Sequence, residues 1–242
     1  MCFSYARCMS ATPATSWPGP VDEHIAPRLA TSALLIIDTQ VDFVDGGRSP
    51  IAGTTAVIPK LVELRSAFLD AGRPVIHVVR LYAGDDVDRV RRTAMASGAN
   101  IVAPGSAGSQ VVPELCVAGQ RTPDHERLLA GEIEQLDENE WAVWKPRWSA
   151  FHRTRLHRHL ADLGVDTIVV AGCNFPNCPR ATIYDGSEHD YRVLVPVDAV
   201  SAIEGWHISE LAKIGALTTG TADLVLALAS AASVGRSRAG PG

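Results

Sequence analysis

The chain has 242 residues, 46% of them hydrophobic and 20% charged. That composition argues against a largely disordered chain and suffices for one full core. Lys and Arg number 22 against 27 Asp and Glu, a formal net charge of −5. With no basic block, this balance disfavours nucleic acid and an anionic membrane as partners.

At about 150 residues per domain, the length fits one domain with an insertion better than two. No run approaches the roughly 18 apolar residues of a membrane helix. The best stretch, Leu224 to Val234, is short and carries Ser230 and Ser233. The opening MCFSYARCMSATPATSWPGP lacks a basic start and an apolar core, so it does not read as a signal peptide. Residues 1–30 read as a flexible leader, with Met9 an alternative start, and a cytoplasmic location is expected. The five cysteines, Cys2, Cys8, Cys116, Cys173 and Cys178, form no CxxC pair. Their odd number does not fit a disulfide framework.

Ala33–Asp38 (ALLIID) is an apolar run ending in an acid, the pattern of a buried strand. Residues 53–70 place Ala56, Val57, Leu61, Leu64, Phe68 and Leu69 at helical spacing, and Ala71-Gly72 stops the helix. Pro74–Val79 is the next buried strand, completing a βαβ unit. Residues 83–140 hold much Gly, Pro and charge. They read as an irregular insertion with a short helix near 86–95, and so long an excursion is often a functional cap.

The alternation then resumes. Trp141–Trp144 reads as a strand, Thr154–Leu163 as a helix, Thr167–Ala171 as a strand and Pro179–His189 as a helix. Val193–Val197 is a strand, His207–Ile214 a helix, Ala216–Thr218 a short strand and Ala222–Ala229 a last helix. The tail GRSRAGPG reads as frayed. Six strands alternating with helices predict an α/β fold. The expected form is a three-layer α/β/α, doubly wound, Rossmann-like arrangement around a six-stranded parallel sheet, forming one domain over 31–235.

Ligands of such sheets bind past the carboxyl ends of the strands. Past the first strand stands Asp38, past the third Lys145, and past the fourth GCNFPNCPR with Cys178 opening a helix. An acid, an amine and a thiol therefore converge on one edge. Ionising most of a free thiol at pH 7 needs a shift of about 2 units, roughly 2.7 kcal/mol. A helix N-terminus supplies only about 0.3–1 kcal/mol. The thiol therefore needs a cation such as Lys145, or a base such as Asp38 that takes its proton. Taken singly, an Asp is usually a turn former, a Lys a surface charge and a Cys a small core residue. Their joint placement carries the functional reading.

LLIIDTQVDF (34–43), the lysine of KPRWSAFHRTRL (145–156) and VVAGCNFPNCPRATIYDGSEHDYRVLVPVDAVSA (169–202) resemble the isochorismatase-like cysteine hydrolase superfamily. That superfamily includes nicotinamidases, N-carbamoylsarcosine amidases and isochorismatases. The resemblance implies a catalytic triad of Asp38, Lys145 and Cys178. It also implies a cis peptide at Cys173–Asn174 and an oxyanion hole built from the N–H groups of Asn174 and Cys178. The loop Asn174-Phe175-Pro176-Asn177 departs from the usual pattern, and Pro179 stands where an aliphatic residue is common.

The stretch Arg80–Asp88, past the second strand, offers no His for the Asp-x-His pair of a nicotinamidase metal site, so no metal and no other cofactor is expected. His77 lies within a strand and reads as a core histidine. Cys173 reads as an inward-packing thiol. Phe43, Tyr82, Trp148 and Phe175 are the expected substrate walls. Arg80, Arg147 and Arg180 are candidates to clamp a substrate carboxylate.

The expected function is cysteine-dependent hydrolysis of a C–N bond in a small amide, ureido or carbamoyl compound. The alternatives are vinyl-ether hydrolysis of the isochorismatase type, which uses the Asp without the Cys, and a non-catalytic small-molecule-binding relative. The partners expected are a small-molecule substrate and further copies of the chain in a homo-oligomer.

Overall fold

A computed structural model describes residues 21–116 and 122–238. The expected leader up to residue 20, with Cys2 and Cys8, and the last residues of the tail lie outside the described residues. Residues 26–32 pack: Ala26 and Leu29 are buried, the Arg28 N–H donates to Thr167 Oγ1, and its guanidinium pairs with Asp166 at 2.9 Å.

The strands are β1 (Ser32–Ile37), β2 (Val75–Val79), β3 (Ile133–Asp137), β4 (Glu140–Trp144), β5 (Thr167–Gly172), β6 (Arg192–Pro196) and β7 (Leu217–Thr219). The helices are α1 (Thr54–Asp70), α2 (Arg92–Ala96), α3 (His125–Leu129), α4 (Leu156–Asp162), α5 (Cys178–Glu188), α6 (Gly205–Lys213) and α7 (Thr221–Arg238). The sheet order is β3-β4-β2-β1-β5-β6-β7. All six strands expected from the sequence are present and mutually parallel.

The seventh strand, β3, lies inside the stretch expected to be irregular. It pairs antiparallel with β4 in a hairpin on the sheet edge. Its sequence, IEQLD, has no apolar run, because its buried positions are Glu134 and Leu136. Glu134 is buried against Arg127 Nη1 at 2.8 Å. A charged residue on the inner face therefore hid the strand.

β1, β2 and β5 are buried along their whole length, as parallel strands covered on both faces must be. From the seam between β1 and β5, the chain runs outward in opposite directions. Right-handed crossovers therefore place α1 and α5 on opposite faces of the sheet. On one face, Leu61, Leu64 and Phe68 of α1 are fully buried. On the other, Gly186 of α5 rides over Ile168 of β5, where a Cβ would come within 2.6 Å of Ile168 Cδ1. The reversal of strand order at β1/β5 creates a crevice at their carboxyl ends. Asp38 follows β1 there, and Cys178 follows the turn out of β5.

Candidate active site

Asp38 sits just past β1 and is 4% exposed. Its N–H donates to the Val78 carbonyl, and its backbone is left-handed, with φ +47°. Asp tolerates that region better than most residues. The kink lifts the carboxylate off the sheet toward the crevice. Lys145 follows β4 and is fully buried, with Nζ 2.7 Å from Asp38 Oδ2. Asp38 Oδ1 is buried with no hydrogen-bond partner. One carboxylate oxygen is thus fixed by the amine, and the other is free to take a proton.

Cys178 is the first residue of α5, with Pro179 next to it in the first turn. Proline favours that position because it brings no N–H to satisfy. The thiol is 7% exposed. Burial first, and then the charge of Asp38, push it up to about 11, while Lys145 and Arg80 pull it down. At neutral pH the thiol therefore rests protonated, and the helix N-terminus does not by itself ionise it. A base must act, and Asp38 lines the same cavity as the thiol.

Arg80 was one of three candidates to clamp a substrate carboxylate, each more often a surface arginine. It is instead 2% exposed, with Nη2 3.4 Å from Cys178 Sγ and Nη1 3.0 Å from Asp88. Gln40 anchors its backbone: Gln40 Oε1 accepts from the Arg80 N–H at 2.7 Å, and Nε2 donates to the carbonyls of Arg80 and Ser109. Arg147 pairs with Asp86 and Arg180 with Glu210, so those two charges are committed elsewhere.

The turn between β5 and α5 corrects one expectation. Among the described residues there is no cis peptide bond, so Cys173–Asn174 is trans. The change of direction is taken instead by Gly172, with φ +107°. A Cβ there would lie 2.3 Å from the Ile37 carbonyl oxygen, so only glycine fits. Beyond it, Phe175 N–H is held by the Ser201 carbonyl and Asn177 N–H by that of Asn174. The N–H groups of Asn174 and Cys178 take no part in these backbone bonds.

These groups open on a cavity of about 180 Å³. Phe43, Tyr82 and Trp148 line it together with Asp38, Arg80, Asp88, Arg91, Asn174, Asn177 and Cys178. Phe175 does not. It is fully buried and packs on His207, ring centres 4.5 Å apart, because the backbone bond to Ser201 turns it into the core. Cys173 is 1% exposed, and burial pushes its thiol up to about 12. His77 is a core residue bonded to Glu140 at 2.5 Å. Among the described residues, no group of three His, Cys, Asp or Glu is placed to hold a metal ion.

The sequence reading missed Asp88 and the contact between Arg80 and the thiol. Arg80 directly follows β2, so the strand-end rule that selected Asp38 and Lys145 also points to it. Asp88 lies in an irregular segment that gives no such signal.

The chain resembles several known proteins. It is 31% identical over 203 residues to a probable inactive nicotinamidase of Arabidopsis thaliana, covering 80% of this chain and 94% of that protein. It is 29% identical over 188 residues to a ureidoacrylate amidohydrolase of Methylorubrum extorquens, covering 73% and 72% of the two chains. Among solved structures, an isochorismatase family protein from Desulfovibrio vulgaris subsp. vulgaris str. Hildenborough superposes with a TM-score of 0.69 at 30% identity. That match covers 82% of this chain and 98% of the other. The isochorismatase-domain family model matches residues 32–223. With a sheet and a matched span in common, the chain belongs to the isochorismatase family.

Proposed function

We propose that the chain is a cysteine-dependent hydrolase that cleaves the C–N bond of a small amide, ureido or carbamoyl compound. The observation that carries this reading is a protonated thiol and a carboxylate at one cavity, with a buried amine behind them on one of the carboxylate oxygens. The similarity to a ureidoacrylate amidohydrolase supports it.

Asp38 Oδ1 takes the proton of Cys178, and the thiolate attacks the substrate carbonyl carbon. The oxygen of the tetrahedral intermediate is met by the N–H groups of Asn174 and Cys178. The C–N bond breaks, and protonated Asp38 gives its proton to the leaving nitrogen. A water deprotonated by Asp38 adds to the thioester, the C–S bond breaks, and the thiol recovers its proton. Lys145 compensates the charge of Asp38 through the cycle and holds it in place. Phe43, Tyr82 and Trp148 wall the substrate. The thiol must stay reduced, so the reading implies a reducing compartment.

One observation favours a second reading, a non-catalytic binding relative: a protein 31% identical to the chain is named a probable inactive nicotinamidase. Ammonia release from a panel of small amides, ureido acids and carbamates separates the two. The hydrolase reading requires turnover by the intact chain and none by Cys178→Ala. Ammonia release that survives Cys178→Ala unchanged points to a different nucleophile.

A further inference from the structure

We propose that Arg80 is a further catalytic residue, its guanidinium stabilising the Cys178 thiolate that forms when Asp38 takes the thiol proton. The inference rests on Cys178 being the nucleophile. It goes beyond the Asp38, Lys145 and Cys178 triad in assigning the thiolate's counter-charge to another residue.

The geometry separates the two cations. Lys145 Nζ lies on Asp38 Oδ2 at 2.7 Å, so its charge faces the carboxylate rather than the sulfur. Arg80 Nη2 lies on the sulfur itself at 3.4 Å, a normal N–H to sulfur contact that becomes charge-assisted once the sulfur is negative. In the transfer step the S–H bond breaks and an O–H bond forms on Asp38. The negative charge moves from a carboxylate beside Lys145 to a sulfur beside Arg80.

Arg80 is built for that place rather than drifting into it. Gln40 bonds both its N–H and its carbonyl. Asp88 holds Nη1 at 3.0 Å, and Tyr82 donates its hydroxyl to Asp88 Oδ2 at 3.0 Å. Arg80 Nη1 still lacks a well-aligned acceptor despite the ion pair. Burial alone would weaken the guanidinium's hold on its proton, but Asp38 and the thiol facing it keep it charged. The charged and titratable groups around the sulfur come from every neighbouring element. They are Asp38 past β1, Arg80 past β2 with Tyr82, Asp88 and Arg91 beyond it, Lys145 past β4, and Cys173 past β5. Of the cations, Arg80 makes the contact with the sulfur.

The test is the pH dependence of Cys178 alkylation by iodoacetamide in the full chain. Peptide mass spectrometry separates it from the exposed Cys116. Arg80→Gln is expected to move the midpoint of the rate profile up by at least about one pH unit. That makes reaction at a fixed pH below the midpoint about ten-fold slower. Arg80→Lys, which keeps a positive charge, is expected to move it less. A folded Arg80→Gln protein with the wild-type midpoint overturns the proposal. If Arg80→Gln does not fold, Asp88→Asn decides. Removing the carboxylate that offsets Arg80 is expected to lower the midpoint, and an unchanged or raised midpoint overturns the proposal. Because alkylation needs no substrate, failure to hydrolyse any amide would sink the hydrolase reading and leave this inference standing or falling on its own profile.

Discussion

At the start of β4, Glu140 is fully buried, and both of its oxygens are engaged. Oε1 accepts from Arg65 Nε at 2.6 Å and meets His77 Nε2 at 2.5 Å, while Oε2 accepts from Arg65 Nη2 at 2.5 Å. At the far end of the same strand, Lys145 is equally buried and holds one oxygen of Asp38, while the other oxygen has no partner. Both clusters place charge in the core, where each unmet group costs stability. The first joins α1, β2 and β4 and has its carboxylate saturated. The second leaves a carboxylate oxygen unmet beside a thiol and a cavity. Saturated charge braces the sheet, and unsaturated charge is free to do chemistry.

Asp38→Asn gives the largest expected effect. It removes the base, so turnover falls by roughly 10²–10⁴-fold. Yet the charge of Asp38 raises the thiol, so the alkylation midpoint of Cys178 should fall. Less activity with a more acidic thiol is the signature of a base. If both move together toward inactivity, Asp38 acts only through the fold.

Glu140→Gln should show the reverse pattern. Breaking a buried pair costs about 3–5 kcal/mol, read as a drop in the urea midpoint. Glu140 and Lys145 are five residues apart along the strand, roughly 16 Å, so Cys178 alkylation should change by no more than about two-fold. A large change in thiol reactivity would break the contrast between the two clusters.

The contrast also has a pH form. Burial would raise the Glu140 carboxyl, but the bonds from His77 and Arg65 hold it below its usual 4.5. A depressed folded value contributes stability that is present above 4.5 and is lost as pH falls through the lower folded value. The urea midpoint of the wild type should therefore fall more steeply below pH 4.5 than that of Glu140→Gln. Equal slopes would mean that Glu140 is not the carboxylate that braces the sheet in acid.

The smallest expected effect is at the cavity mouth. Trp148 lines the cavity but is 39% exposed. Trp148→Ala should raise KM about ten-fold, the equivalent of ~1.4 kcal/mol of lost apolar contact, with kcat little changed. A fall in kcat at unchanged KM would place Trp148 in the chemistry instead.

The sequence made these regions legible to different degrees. β1, β2 and β5 announced themselves because strands buried on both faces must be continuous apolar runs, as in ALLIID and TIVVA. Asp38, Lys145 and Cys178 stood out because the sheet topology brings strand ends together. β3 stayed hidden because Glu134 is buried through a partner ten or fewer residues away in sequence but unseen by periodicity. Arg80 was visible as a strand-end residue but not as a neighbour of the sulfur, since Gln40 anchors its backbone and Asp88 holds its guanidinium from two other segments. Phe175 was misplaced because its direction depends on a backbone bond to Ser201. Local pattern reveals what burial imposes along a strand. It does not reveal which way a loop side chain is turned by a distant carbonyl.

The most direct test of the account is intact-protein mass spectrometry of wild type and Cys178→Ala during turnover of an amide that releases ammonia. The account predicts a transient acyl adduct on Cys178 of the wild type, and ammonia release that falls at least about 10³-fold in Cys178→Ala. Ammonia release by Cys178→Ala at the wild-type rate would contradict it.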